Sequence, residues 1–204
     1  MTSDRPKRNK RKGPQPDENF NVLDYVVPRV AGLIELGQSR ERTKGIEFEK
    51  IVSETFRLLE FEVEYLGQGT GRNPDVIAKF REDNTAFIID AKAHKSGYYL
   101  GTDDRALYEY ANLYCPKLRQ EGLKRIAFVI VCNSFKSENH RFVQEITWTT
   151  DIRRFIFITS EALLHLLAYK IRHSLSVREI IKFLVSESSI VTIDKVVAKL
   201  HHRD

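Results

Sequence analysis

The stretch Thr85-Ala-Phe-Ile-Ile-Asp-Ala-Lys-Ala-His-Lys-Ser-Gly-Tyr-Tyr99 decides the fold. Its first part, Ala86-Phe87-Ile88-Ile89, is an unbroken apolar run of strand length, the pattern of a strand covered on both faces. The run ends in Asp90, and Lys92 stands two positions on. Residues two apart on a strand project from the same face, so this acid and this base leave the strand together. Burying both is costly unless they are paired or used.

Working outward, the flanking sequence supplies more strands. Phe61, Val63 and Tyr65 alternate with Glu62 and Glu64, a period of two. Residues 75–80 read as a second strand, 81–84 as a polar turn and 85–93 as the third. The apolar runs 126–132 and 155–159 add two more. Between them lie helical patterns. Residues 45–60 carry a stripe of Phe48, Val52, Phe56 and Leu59. A helix from 103 to about 114 restarts or kinks at Pro116. Others follow over 137–147, after a cap at Ser160, at the capping-box spelling Ser176-Val-Arg-Glu179, and over 192–200. This order predicts an α/β fold, a mixed five-stranded sheet flanked by helices on both sides. Residues 1–20 read as a disordered tail, 21–44 as a lead-in segment and 45–204 as the folded domain.

With 42% hydrophobic and 30% charged residues, the composition is that of a soluble globular chain. No apolar run is long enough for a membrane span, and no apolar segment follows the basic N-terminus as in a secretory signal. The two cysteines, Cys115 and Cys132, make no disulfide framework; they read as reduced thiols of a cytoplasmic protein, with Cys132 as core filler. The net charge of +5 is unevenly placed. Arg5, Lys7, Arg8, Lys10, Arg11 and Lys12 hold six of the 33 basic residues with no acid among them, so the remainder is near neutral. Such a tail is suited to hold a polyanion by counterion release.

A short turn pairs the second and third strands antiparallel, so Asp75, at the start of one, lies near Asp90 and Lys92, at the end of the other. Two carboxylates at one point repel unless a cation sits between them. Their oxygens, the backbone carbonyl of Ala91 and waters suit Mg²⁺, with Mn²⁺ as a substitute. A lysine there holds or deprotonates an attacking water and offsets charge growing on a phosphate. Glu49 falls on the apolar stripe of its helix whereas Glu47 and Glu54 do not. It is placed to accept from a metal-bound water or to position Lys92; an acid in a helix's first turn also suits the helix dipole. Together these are the parts of metal-assisted phosphodiester hydrolysis.

The pattern Glu49…Pro74-Asp75…Asp90-Ala-Lys92 resembles the PD-(D/E)xK nuclease superfamily. The run from Asp90 through Lys95, Ser96 and Gly97 to Tyr98, Tyr99 and Leu100 is similar to the cleavage domain of FokI-type (type IIS) restriction endonucleases. So are the Gly-rich turn from Leu66 to Arg72-Asn-Pro-Asp75, the run Phe128-Val-Ile-Val131 with Phe135-Lys136, and the segments 159–164 and 175–180. The likeness covers roughly residues 45–190. It implies a restriction-endonuclease-like core, metal-dependent cleavage of double-stranded DNA to a 3′-hydroxyl and a 5′-phosphate, metal binding by Asp75 and Asp90, and Lys92 as the catalytic lysine. It also implies a cleavage domain that acts as a pair, with recognition on a separate domain. The chain departs from that plan. Its length is expected to leave no room for the second domain, and residues 103–114 show no matching pairing charge pattern. The expectation is therefore a homodimer or a recognition partner in another chain. The alternative is a non-catalytic DNA-binding or assembly subunit that keeps the fold; the intact Asp-x-Lys argues against it.

Candidate DNA contacts are Lys95, Tyr98, Arg72 and the basic tail, Lys7, Arg8, Lys10, Arg11 and Lys12; Tyr98 or Tyr99 reads equally well as a residue packed in the core. Gly67-Gln-Gly-Thr-Gly71 is not a nucleotide loop, because it lacks the Gly-Lys-Ser/Thr ending and a strand follows it. His94 reads as a loop histidine. His201 and His202 lack the partners of a zinc site.

Overall fold

The apolar run is a strand, β3 (Thr85–Lys92), buried at all but its last residue. The computed structural model describes residues 21–26, 28–39, 42–67, 73–99, 104–137, 140–187 and 190–200. It places β3 at the centre of a five-stranded mixed sheet. β1 (Glu62–Tyr65) and β2 (Val76–Phe80) extend the sheet antiparallel on one side. β5 (Arg125–Cys132) and β7 (Arg154–Thr159) extend it in parallel on the other. The outer strand β1 alternates exposed and half-buried residues, as an edge strand with one wet face must.

Alternation along β3 divides the core in two. Phe87, Ile89 and Ala91 enter a cluster with Phe48, Val52 and Phe56 of α3 (Arg42–Leu58). That layer also takes in α6 (Ser160–His173), α7 (Val177–Ser186) and α8 (Ile193–Leu200). Ala86 and Ile88 enter the opposite layer, with Leu107 and Ala111 of α4 (Asp104–Gln120) and Phe142 and Ile146 of α5 (His140–Thr149). In the first layer Phe87 meets Phe61 at 5.4 Å and Phe56 at 6.4 Å between ring centroids. Fully burying each such ring is worth about 1.5–3 kcal/mol. These contacts tie α3 and the start of β1 to the strand that carries Asp90.

Several elements depart from the sequence reading. The helix expected to restart or kink at Pro116 is continuous through it to Gln120. Cys115 and Leu118 are buried on either side, and that packing outweighs the one hydrogen bond proline forfeits. The cap of α6 is Thr159, whose hydroxyl accepts from the Ala162 N–H at 3.1 Å, so Ser160 is the first helical residue rather than the cap. The capping box at Ser176 and Glu179 forms as spelled. β4 (Tyr98–Tyr99) and β6 (Phe135–Ser137) pair in parallel as a small second sheet, and α5 starts later than expected because residues 135–137 are extended. The lead-in residues carry α1 (Pro28–Ala31) and α2 (Leu33–Gly37), and Val30 and Leu33 are buried in the same cluster as Phe48. Among the described residues no helix is long and apolar enough to cross a membrane. The basic tail with Lys7, Arg8, Lys10, Arg11 and Lys12, the turn residue Arg72, and His201 and His202 lie outside the described residues.

Candidate active site

β3 outruns the start of β2, and the candidate site occupies the step. Val76 is the first residue of β2 in register, opposite Ile89. The Asp75 N–H donates to the Ile89 carbonyl at 3.1 Å. Two residues further along β3, the Ala91 N–H points to the same edge with no strand opposite it. The Asp75 carboxylate takes that N–H at 2.7 Å, so a side chain replaces the missing ladder bond. The Ala91 carbonyl leaves the strand on that same edge. Asp75 is thereby fixed where the expectation put it, beside the end of β3.

Asp90 and Lys92 stand together on the α4 face of β3, by the alternation that sends Ile89 and Ala91 to the α3 face. The Lys92 ammonium lies 2.8 Å from Asp90 Oδ2. Asp90 is 3% exposed, and its Oδ2 has no hydrogen bond of good geometry among the described residues. Glu49 comes from the opposite face. It is 5% exposed on the inward stripe of α3, while Glu47 is exposed, so the helical spacing separated the two acids correctly. The charges of Asp90 and Glu49 both act on Asp75. Burial first, and then these two neighbours, push its carboxyl well above the ordinary carboxylate range; the Ala91 N–H and Lys92 oppose the shift. Three acids and one ammonium therefore share this edge of the sheet.

Tyr65 was not foreseen in this company. Its hydroxyl donates to Glu49 Oε2 at 3.3 Å. Burial and the Glu49 carboxylate push the phenol up to about 12, so it stays a donor throughout the working range. Gly67, at φ +59°, closes over the ring; a Cβ there would lie 3.0 Å from it. The period-two pattern that placed Phe61 and Val63 also places Tyr65 on their face, which was the available signal. On the α4 side, the Tyr114 hydroxyl donates to Asn73 Oδ1 at 3.0 Å and so anchors the approach to Pro74 and Asp75.

Among the described residues no three His, Cys, Asp or Glu side chains are gathered to hold a metal ion by themselves. That does not conflict with Mg²⁺, which keeps several waters and takes one or two carboxylates. The donors here are two carboxylates and a backbone carbonyl, all hard oxygens. Asp90 Oδ2, buried with a single ammonium beside it, is a polar atom that such a cation would satisfy. The residues fit the group.

Lys95 is exposed in the turn after β3. Tyr98 is 2% exposed and packs in the α4 layer against Phe135, so its ring fills the core and gives DNA no surface; Tyr99 beside it is 52% exposed. Gly97, at φ +85°, permits this turn, since a Cβ would meet Ser134 Oγ at 2.9 Å.

The family model for the cleavage domain of FokI matches residues 15–192. The chain belongs to the FokI cleavage-domain family. Among solved structures it is similar to the restriction endonuclease FokI, with a TM-score of 0.67 at 21% identity over 79% of this chain and 31% of that one. It is similar also to FokI bound to DNA, with a TM-score of 0.66 at 19% identity over 78% of this chain and 30% of that one. The chain thus spans under a third of the proteins it matches, and at these identities the likeness speaks for the fold. No curated protein sequence matches it. Family and fold together make it a restriction-type nuclease domain.

Proposed function

We propose that the chain is a divalent-metal-dependent DNA endonuclease, using Mg²⁺ or Mn²⁺, with Asp75 and Asp90 as metal ligands together with the Ala91 carbonyl. The observation that carries this reading is the meeting of two carboxylates, one of them holding an oxygen buried without a hydrogen bond, with Lys92 at the end of β3. Family membership and the likeness to FokI bound to DNA support DNA as the substrate.

When bound, the cation neutralises charge at the phosphate and makes a nearby water more acidic. The chain does the rest. The Ala91 N–H holds Asp75 in one rotamer. Asp90 orients the Lys92 ammonium, which is placed to hold the attacking water and to face the charge that grows on the phosphoryl oxygens. Glu49, steadied by Tyr65, completes the acidic side of the site. In-line attack on phosphorus breaks the bond to the 3′-oxygen and leaves a 3′-hydroxyl and a 5′-phosphate. Lys95 on the turn after β3 and Tyr99 in β4 are candidate backbone contacts, with Arg72 and the basic tail as further ones. Cleavage of both strands calls for a second copy, and sequence recognition for a partner.

The test uses supercoiled plasmid with Mg²⁺, Mn²⁺ or EDTA, and Mn²⁺ binding followed by calorimetry. The parent is expected to nick or linearise DNA only with metal, and to bind Mn²⁺. Asp90→Ala is expected to lose both while still shifting DNA in a gel. Equal cutting by Asp90→Ala, or a parent that shifts DNA but neither binds Mn²⁺ nor cuts, overturns the assignment.

A further inference from the structure

The sheet has a second charged edge, at the opposite end of β3. The parallel strands β3, β5 and β7 all begin there, with Thr85 opposite Arg125 and Ala127 opposite Arg154. Between these strand starts and α7 lies a slot of about 90 Å³. Its walls are apolar and almost wholly buried: Phe87, Ile126, Ala127 and Ile181. Its rim is cationic, formed by the exposed side chains of Arg125, Arg153 and Arg154.

The rim is short of counter-charge. Asp83 lies 3.5 Å from Arg125 and is shared with Arg178 at 3.3 Å. Arg153 and Arg154 have no ion pair among the described residues. Two of the three rim arginines thus have no acidic partner among the described residues, a local excess that attracts an anion. Arginine's fixed fork suits carboxylate and phosphate alike, so charge alone does not choose the ligand. The slot does. Its apolar walls suit an aliphatic side chain and would strip the polar edge of a nucleobase of hydrogen bonds. A phosphate backbone crossing the rim would leave the apolar walls uncovered.

We propose that this edge docks an acidic protein segment that inserts one leucine or isoleucine between Arg125 and Arg154, with acidic residues on both sides. Thr85 and Asp90 are five residues apart on β3, roughly 17 Å, so the docked segment leaves the candidate active site open. The inference stands independently of the cleavage reading.

The probe is a fluorescein-labelled peptide with one leucine flanked by glutamates, titrated by anisotropy against the full chain. A matching alanine peptide and a short DNA duplex serve as controls. The leucine peptide is expected to bind about tenfold tighter than the alanine one, the value of burying one aliphatic side chain. Arg153→Glu with Arg154→Glu is expected to weaken it at least tenfold, with an unchanged circular dichroism spectrum. Val185→Phe, which fills the slot from its α7 wall, should reduce the leucine peptide to the level of the alanine one. Equal affinity of the two peptides removes the slot from the account. Binding untouched by the double reversal places the peptide elsewhere, as on the basic tail. A duplex that loses affinity on the double reversal, with no peptide preference, makes this a DNA surface. Each of these results overturns the proposal.

Discussion

The two ends of β2 each carry a charge cluster, and the clusters are built on opposite principles. At the far end, Lys79 meets both carboxylate oxygens of Glu121 at 3.0 Å and Glu64 at 3.5 Å. Arg81 binds Glu62 at 2.7 and 3.0 Å and Glu121 at 3.1 Å. Hydrogen bonds to Arg81 hold the Glu62 carboxyl below its ordinary value, and those to Lys79, then Arg81, do the same for Glu121. This cluster is matched in the sense that each charge has an opposite partner within 3.5 Å. At the near end, Glu49, Asp75 and Asp90 share Lys92, and Asp75 is driven upward. Here the fold holds like charges together at a cost in stability. Matched clusters staple elements; an unmatched one marks a candidate functional site.

Exchanging the lysines breaks this comparison most sharply. Lys92→Met is expected to lower plasmid cleavage by roughly 10²–10³-fold, the usual cost of losing a charged group aimed at the reacting phosphate. Lys79→Met is expected to leave cleavage within about twofold. Stability should show the reverse at the matched cluster. Glu121→Ala leaves the buried Lys79 ammonium with only Glu64, and costs about 1–2 kcal/mol once the partial exposure of Glu121 is discounted. Denaturant titration of the three variants beside a plasmid assay reads both effects. Cleavage that fails equally in Lys79→Met removes the distinction.

How much of this was legible depended on sequence distance. Asp90 and Lys92 lie on one strand, and Glu49 on one helical stripe, so period alone placed each on its face. Asp75 was reachable because the turn 81–84 is short and sets the pairing of β2 with β3. The matched cluster was not legible, since Lys79 and Glu121 are 42 residues apart and no local period joins them. Nor was the β4–β6 sheet, because strands of two and three residues carry no alternation. For that reason Tyr98 stood open between DNA contact and core, and pairing in this small sheet turns it inward. Thr159 was passed over as a cap because Thr and Ser are adjacent and both are good caps; only the hydroxyl's bond to Ala162 decides.

A smaller effect sharpens the near-end cluster from within. Tyr65→Phe removes the hydroxyl held by Glu49 and little else, since the ring remains under Gly67. If Tyr65 acts through Glu49, Tyr65→Phe and Glu49→Gln each slow single-turnover cleavage about tenfold, near the worth of one hydrogen bond to a charged group. The double variant is then no slower than Glu49→Gln alone. Multiplying effects would show that the two residues act separately, while Asp90→Ala independently reports whether the site is catalytic at all.

The smallest effect is in stability against pH, where the two clusters should carry opposite signs. Asp75 has its folded value raised, so between the unfolded value, near 4, and the raised one the folded chain holds the extra proton. Parent stability in EDTA therefore falls as pH rises through that window. Asp75→Asn keeps an acceptor for the Ala91 N–H and removes the charge, so in EDTA at pH 8 its Tm should exceed the parent's by a few degrees, roughly 1 kcal/mol. The gain should vanish toward pH 4, where the parent carboxyl is already neutral. Glu62 has its folded value lowered, so its contribution is present above its unfolded value of about 4.5 and lost as pH falls through the folded one. Glu62→Gln should then lower Tm slightly at pH 8 and not at pH 3, a difference kept small by the exposure of both partners. Thermal melts at these pH values in EDTA compare the pair directly. If Asp75→Asn destabilises the chain as Glu62→Gln does, the carboxylates at the end of β3 are held by partners as the matched cluster is, and no place for a cation is left to infer.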